Sequence, residues 1–330
     1  MSARGDTPPR AARMRAGIIF DAGRLEVREV PRPTPAPGQL LIRIEGCGVC
    51  ASSVPLWEGR PWFGYPTDAG APGHEAWGRV AGVGAGVRGF VEGDRVAALT
   101  YHGHAEFDLA NADDAIGLPA SLDDRAVPGE PLGCAMNIFE RSDIRAGQTV
   151  AIVGIGFLGA LLTQLAVRAG ARVLAITRRP FAQALATRLG ASESMGLDAA
   201  EDPVARVRET TGGAGCERVI EAVGLQHPLD VAAQLTAERG RLVIAGYHQD
   251  GPRQVDMQQW NWRGIDVINA HERAPARYLD GIRRAIAAMA DGRLDPSPLL
   301  THRFPLESLG TALDMTRERP DGFVKAVVEP

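Results

Sequence analysis

Apolar and polar positions change rhythm part-way along the chain, and each rhythm predicts a different kind of element. In the first third, Leu40, Ile42 and Ile44 alternate with Leu41, Arg43 and Glu45. Successive side chains of a strand point to opposite faces, so this period of two predicts a half-buried strand. The proline-rich run from Pro31 to Gly38 before it is a turn-forming breaker, and the glycines recurring from Gly78 to Gly93 suit tight turns between short strands. Near Arg145 the texture changes. Thr149–Val153 is a compact apolar run, and Phe157–Ala169 after it has helical spacing. Val173–Ile176 is a second run, followed by a helix-like stretch from Phe181 to Leu189. Arg218–Glu221 and Arg241–Ala245 read as further short strands, with Leu229–Leu235 as helix between them. Short strands alternating with helices predict a parallel sheet covered on both faces. From Leu294 to Pro330 the pattern returns to strand-like pieces such as Val324–Val328.

The pattern thus predicts an α/β protein in which a strand-rich domain (residues 14–135 and 273–330) is interrupted by a nucleotide-binding domain (residues 136–272). The length of 330 residues agrees with two domains of roughly 100–200 residues each. Residues 1–13, rich in Arg, Pro and Ala, read as a disordered tail without an apolar signal core, and a start at Met14 removes nothing the fold needs. Hydrophobic content of 45% and charged content of 23% suffice for a real core. A net charge of −4 provides no electrostatic reason for nucleic acid or an anionic membrane as partner. No stretch approaches the roughly 20 apolar residues of a spanning helix. The four cysteines, Cys47, Cys50, Cys134 and Cys216, read as reduced thiols or metal ligands, which implies a cytoplasmic protein.

Gly154-Ile155-Gly156-Phe157-Leu158-Gly159 joins the first apolar run of the central region to its first helix. Glycine there permits a tight turn, close approach of the backbone to a pyrophosphate, and packing of helix against strand. The helix N-terminus adds free N–H groups and the positive end of its dipole. A glycine-rich turn without a ligand is the plain alternative, but the strand before, the helix after and the second strand at the expected distance weigh against it. At the end of that second strand, an NAD-specific fold places an acid to hold the ribose 2′-hydroxyl. The segment here reads Ala175-Ile176-Thr177-Arg178-Arg179. An acid would repel a 2′-phosphate, whereas Arg binds one through bidentate, charge-assisted hydrogen bonds. NADP is therefore expected over NAD, with Thr177, Arg178 and Arg179 as its candidates. The alternative is that both arginines are solvated surface charges.

Cys50 lies ahead of Gly73-His74-Glu75, and Glu130-Pro131-Leu132-Gly133-Cys134 follows further on. Thiolates and an imidazole with a carboxylate close by are Zn²⁺-type ligands. A catalytic zinc takes three protein ligands and leaves a fourth position open, and Cys50, His74 and Cys134 would supply such a set.

On these motifs, in this order, the chain resembles the zinc-containing alcohol and polyol dehydrogenases of the medium-chain dehydrogenase/reductase superfamily, from about Met14 to Pro330. The resemblance implies a GroES-like twisted β-barrel catalytic domain plus a Rossmann, doubly wound parallel-sheet cofactor domain, and assembly as a homodimer or homotetramer. It implies that Cys50, His74 and Cys134 hold the catalytic zinc, and that Glu75 can approach or replace a ligand. It further implies that Glu130 helps hold the zinc-bound water, and that Ser52 hydrogen-bonds the substrate oxygen and starts proton transfer. Three positions depart from the family pattern. Its usual aspartate after the hydroxyl residue is Ser53, and a frequent relay histidine is Pro55, which cannot transfer a proton. The four-cysteine structural zinc lobe is missing, since Gly93-Asp94-Arg95-Val96 leads to Tyr101-His102-Gly103-His104 without a cysteine. One zinc per chain is expected.

Cys47 and Cys50 also form a Cys-x-x-Cys pair, which could mean thiol redox chemistry. The strand-like lead-in and the downstream Gly-His-Glu fit zinc better, leaving Cys47 and Cys216 as small core residues. His102 and His104 read as surface turn histidines. Trp57, Trp62 and Phe63 could line a substrate pocket or pack in the core. The roles of Trp260, Trp262 and the segment Asn269 to Arg273 stay open. The expected chemistry is reversible hydride transfer between NADP(H) and a secondary alcohol or ketone. Glu130 and Glu75 lean its substrate toward polyols, sugars or cyclitols. The alternatives are an NADPH-dependent reductase of a conjugated double bond, which would need no zinc set, and a non-catalytic nucleotide-binding protein of the same fold.

Overall fold

The computed structural model describes residues 12–198 and 202–330. Of the expected tail, residues 1–11 lie outside the described part; Arg13 belongs instead to the first strand and pairs with Pro31. The chain forms two compact units. The first comprises the described residues up to Gly117, then Phe304–Asp314 and Val327–Pro330; the second comprises Leu118–Arg303 and Met315–Ala326. The division at Gly117 precedes the expected one at residue 135, for a reason that lies in helix packing.

In the first unit, strands β1 (Arg13–Asp21) and β2 (Arg24–Pro31) form a hairpin closed by Ala22 and Gly23. There follow β3 (Gln39–Gly48), a short helix α1 (Val54–Trp57), β4 (Glu75–Val83), β5 (Arg95–Ala98), β6 (Phe107–Asn111) and β7 (Ala115–Gly117). Leu40, Ile42 and Ile44 of β3 are buried as their alternation predicts, but Leu41 is buried as well. Pairing between β3 and β4 shifts register between Leu41 and Ile42, so strict alternation does not hold along the strand.

The second unit begins with α2 (Gly129–Ser142). It continues through β8 (Thr149–Val153), α3 (Phe157–Arg168), β9 (Arg172–Ile176), α4 (Pro180–Arg188), β10 (Glu193–Met195), α5 (Pro203–Thr210) and β11 (Cys216–Glu221). Then come α6 (Gln226–Leu235), β12 (Thr236–Ile244), α7 (Met257–Arg263), β13 (Asp266–Asn269) and α8 (Pro275–Ala290). The six strands are parallel in the order β10-β9-β8-β11-β12-β13. That is the doubly wound arrangement, with its topological switch point between β8 and β11. Val150–Val153, Val173–Ile176, Val219 and Ile220 are buried, as helices on both faces require. Cys216 lies in this core, where burial pushes its thiol up to about 12 and makes it inert.

Helices α2 and α8 pack closely. A Cβ on Gly133 would lie 2.5 Å from Ile282 Cγ1, and one on Gly281 would lie 2.6 Å from the Gly133 carbonyl oxygen. Asn137 Nδ2 also donates to the Arg277 carbonyl at 3.1 Å. This contact carries α2 with the second unit and explains the early boundary. The chain ends with β14 (His302–Pro305), α9 (Leu309–Glu318) and β15 (Ala326–Glu329). The seven-stranded sheet runs β14-β15-β3-β4-β5-β7, with β6 also pairing with β3. Among the described residues, no helix is long and apolar enough to cross a membrane.

Candidate active site

In the first unit, β3 delivers the chain to Cys50, whose carbonyl accepts the Ser53 N–H at 3.0 Å and starts the turn Ala51–Ser53. His74 and Glu75 stand at the beginning of β4, Glu75 fully buried and opposite Gly48 in the sheet. The potential ligand atoms of Cys50, His74 and Glu75 all lie within 4.8 Å of one another. His74 Nδ1 is 2.8 Å from the Pro72 carbonyl oxygen. A carbonyl can only accept, so Nδ1 carries the hydrogen and Nε2 presents its lone pair. A sulfur, an imidazole lone pair and a buried carboxylate converging in this way match the donor set of Zn²⁺. The His74 ring lies nearly parallel to Tyr101, with centroids 6.4 Å apart. Ser52 is half-buried two residues beyond Cys50, and Ser53, which stands for the absent aspartate, is buried.

The loop that presents His74 has no room for a side chain at Gly73. A Cβ there would meet the His104 nitrogen at 2.3 Å, and the Gly73 carbonyl already accepts the Gly103 N–H at 2.8 Å. His104 is therefore buried by this interlock, contrary to the expectation of a surface turn. His102 fits that expectation better: it is partly exposed, and the Asp108 carboxylate beside its ring raises its pKa. Gly73→Ala should force the two loops apart, costing about 1–3 kcal/mol of stability by overpacking. Thermal unfolding checks the effect.

Glu130 and Cys134 lie one turn apart on α2 in the second unit, and Tyr278 of α8 joins them. The Tyr278 hydroxyl donates a short hydrogen bond to Glu130 Oε1 and lies 2.9 Å from Cys134 Sγ. Burial first, then Glu130 and Cys134, hold the Tyr278 phenol protonated far above its ordinary range. Tyr278 is thus a donor that orients Glu130. The sequence carried no signal for it, because the pairing depends on how α2 meets α8.

In the same unit, Gly154 has a positive φ of 101°, and its Cβ would lie 2.4 Å from Val223 Cγ2. A Cβ on Gly159 would lie 1.9 Å from the Gly154 carbonyl oxygen, so the turn between β8 and α3 requires glycine at both ends. Gly156 differs: nothing lies within 4 Å of a Cβ built there, and no side chain caps α3. Phe157 and Leu158 open the helix, leaving first-turn N–H groups beside open space, which fits a pyrophosphate. Lys325, unnoticed in sequence, holds its ammonium 5.0 Å from the Phe157 ring centroid and adds a cation to this region.

Thr177 is buried at the carboxyl end of β9, its N–H donating to the Met195 carbonyl at 3.0 Å. Arg178 beside it is exposed. Arg179 is partly buried and donates through Nη1 to the Phe323 carbonyl at 2.6 Å. Burial, then the neighbouring Arg319, lower its pKa. Of the two arginines, Arg178 has its head in solvent, while Arg179 anchors the chain near Phe323. Trp57 is core: it is buried and donates through Nε1 to Asp314 Oδ1 at 2.9 Å, whereas Trp62 is largely exposed. Cys47 is fully buried beneath the loop of Gly103, which makes the Cys-x-x-Cys pair a packing residue followed by a ligand candidate.

Residues 36–137 match the family model of the alcohol dehydrogenase GroES-like domain, and residues 158–286 match that of the zinc-binding dehydrogenases. An alcohol dehydrogenase of Rhizobium meliloti is 34% identical over 235 residues, covering 61% of this chain and 68% of that protein. The chain belongs to the zinc-type medium-chain dehydrogenase/reductase superfamily. It is also similar to a sorbitol dehydrogenase of Halalkalibacterium halodurans, 27% identical over 320 residues and covering 86% of this chain and 90% of that one. A solved structure from Sinorhizobium meliloti 1021, described as a zinc-binding dehydrogenase bound to NADP, superposes with a TM-score of 0.85 at 28% identity, over 97% of this chain and 100% of that chain. This medium-chain dehydrogenase is accordingly an oxidoreductase with a GroES-like and a Rossmann-type portion.

Proposed function

We propose that this dehydrogenase catalyses zinc-dependent, reversible hydride transfer between NADP(H) and a secondary alcohol or ketone, the substrate being a polyol, sugar or cyclitol. The observation that carries the reading is the convergence of Cys50, His74 and Glu75, with His74 held by Pro72 in the tautomer that leaves Nε2 to a metal. When bound, Zn²⁺ supplies Lewis-acid polarisation of the substrate oxygen, and NADP(H) supplies the hydride acceptor or donor. The resemblance adds Cys134 to the ligand set, and one zinc per chain follows from the missing cysteine lobe.

The chain's own groups have distinct tasks in this reading. Pro72 fixes the His74 ring, and the buried Glu75 carboxylate offsets positive charge beside it. Ser52 Oγ accepts the substrate hydroxyl proton and passes its own to water or a ribose hydroxyl, because Pro55 offers no group to receive it. Glu130, oriented by Tyr278, accepts hydrogen bonds from a polar substrate or water. The first-turn N–H groups of α3 hold the pyrophosphate, and Thr177 with Arg178 receives the 2′-phosphate. Polyol and sugar-acid activities among the relatives support the polar substrate class: besides the sorbitol dehydrogenase, one at 26% identity is an Escherichia coli L-galactonate-5-dehydrogenase.

The deciding experiment is oxidation by the purified enzyme with NADP⁺ and with NAD⁺ across an alcohol, polyol and cyclitol panel, with zinc quantified on the same sample. Near-stoichiometric zinc with NADP-linked turnover of a polar alcohol supports the reading. Negligible zinc together with NADPH-dependent reduction of enones would sink it.

The assembly is proposed to be a homo-oligomer. Strand β13 is an edge of the six-stranded sheet, and Trp262 on the adjoining α7 is 89% exposed. An unpaired edge beside an exposed large aromatic is a surface suited to a second copy. Trp262→Asp with Val267→Lys should shift the protein toward monomer in light scattering; an unchanged molar mass would rule this edge out.

A further inference from the structure

The carboxyl ends of β11 and β12 carry a polar network built on a buried glutamate, for which the zinc and phosphate-loop assignments have no use. Glu221, the last residue of β11, is fully buried. Its Oε1 accepts the N–H groups of Val223 and Gly224, each at 2.7 Å. Its main-chain oxygen accepts those of Ala245 and Gly246, each at 2.8 Å. Its Oε2 lies 3.0 Å from His248 Nε2. On the other side of the ring, Arg253 Nε lies 2.9 Å from His248 Nδ1. Arg253 Nη2 then donates to the Gly224 carbonyl at 2.9 Å and pairs with Asp250. The circuit closes on itself.

A guanidinium can only donate, so His248 Nδ1 accepts and Nε2 carries the hydrogen given to Glu221. His248 is thus a neutral bridge, an acceptor on one edge and a donor on the other, between residues 222–225 and residues 245–254. The first of these segments packs on the phosphate loop, since Val223 is the neighbour that excludes a Cβ at Gly154. The second holds Tyr247, which is half exposed and stacks on His271 beyond β13, with centroids 5.2 Å apart and planes 5° from parallel. The network therefore links the segments that follow β11 and β12, and through Tyr247 the one that follows β13.

A dinucleotide lies across the carboxyl ends of such a sheet, one half on each side of the switch point. With the pyrophosphate on α3 and the 2′-phosphate at Thr177 beyond β9, the other half extends over β11 and β12. We propose that His248 is a positioning residue for the nicotinamide half of NADP(H), holding residues 222–225 and 245–254 in the shape that receives it. The inference builds on the NADP-linked reading above.

The test is NADPH binding by the full chain, followed by cofactor fluorescence, with zinc content measured in parallel. His248→Leu removes both the donor to Glu221 and the acceptor for Arg253. Hydrogen bonds to charged groups are worth enough that the Kd for NADPH should rise about tenfold or more. Zinc content should stay at the wild-type level. His248→Gln restores a neutral donor and acceptor on one side chain and should return the Kd to within about threefold of wild type, a rescue that mere filling of space would not produce. Arg253→Leu, which leaves the Glu221 contact intact, should weaken binding in the same direction by a smaller factor, and it decides the matter if His248→Leu does not fold. Wild-type affinity in His248→Leu, or a Gln variant as weak as the Leu variant, overturns the inference. A wild-type protein that binds no NADPH overturns the cofactor reading itself.

Discussion

Cys50→Ala and His74→Ala should each leave a folded protein that retains little zinc and has lost about a thousandfold or more in kcat/KM, a loss of roughly 4 kcal/mol in transition-state stabilisation. The size follows from what the cluster does in the proposed reaction. Polarisation of the substrate oxygen is worth several kcal/mol, and losing one donor from the set weakens its hold on the metal. Cys50 leads out of β3 and His74 into β4, so alanine at either position removes a donor without disturbing the buried pairing of those strands. Glu75→Gln keeps the shape and removes the charge; it should reduce zinc affinity by about 10–100-fold, in the range of groups that support a ligand sphere. Metal analysis after dialysis, read beside steady-state kinetics, checks all three. Full activity in zinc-depleted Cys50→Ala would reject the metal-dependent mechanism. Cys134→Ala examines the ligand that the resemblance alone supplies, independently of the other three.

The second large effect concerns the choice of dinucleotide. Thr177→Asp combined with Arg178→Ala should change the ratio of kcat/KM for NADP⁺ to that for NAD⁺ by about a hundredfold to a thousandfold in favour of NAD⁺. An aspartate at the end of β9 accepts the hydrogen bonds of a free ribose diol and repels a 2′-phosphate. Removing Arg178 also removes a charge-assisted hydrogen bond worth about 1.5–3 kcal/mol. Thr177 is buried and its N–H is committed to Met195, so the backbone that presents the new carboxylate is already fixed. Arg179→Ala should behave differently. Its guanidinium is tied to the Phe323 carbonyl, so the variant should lose stability more than selectivity. A cofactor ratio that stays put in the double variant, or moves mainly in Arg179→Ala, would reassign the 2′-phosphate contact.

Much of the cofactor-binding portion was legible in the chain because its signals are local. The run Thr149–Val153 is β8 residue for residue, and the helix read from Phe157 begins where α3 begins. Val173–Ile176 falls within β9, and Arg218–Glu221 within β11. Short apolar runs bounded by glycine declare such strands, since a sheet covered on both faces tolerates few polar positions. Glycine at 154 and 159 was equally readable, and the reason proved steric at both positions. The helices α2, α8 and α9 carry no comparable local signature. Each is amphipathic with alanine, glycine and charge mixed through it, and its apolar stripe is defined by a partner helix or sheet remote in sequence.

The residue types of the candidate site were legible; their company was not. Cys50, His74 and Glu75 could be singled out because few side chains hold a metal and the three occur in a recognisable order. Their convergence within 4.8 Å follows from antiparallel pairing that sets Gly48 opposite Glu75. Tyr278 beside Glu130, Lys325 over Phe157 and His248 between Glu221 and Arg253 left no mark on any local pattern. A histidine in a glycine-flanked turn reads as surface, whereas the burial of His104 depends on a glycine thirty-one positions earlier that brings two loops into contact. By itself, the order of residues determined the strands of the parallel sheet, the glycine turn after β8, the candidate ligands and the missing acid at the end of β9, because each depends on backbone sterics or on chemistry carried by a short segment. Only the tertiary structure decided which polar groups meet, which of the two arginines stays exposed and where the chain divides into units. Those outcomes depend on contacts between segments far apart in sequence, which no local period encodes.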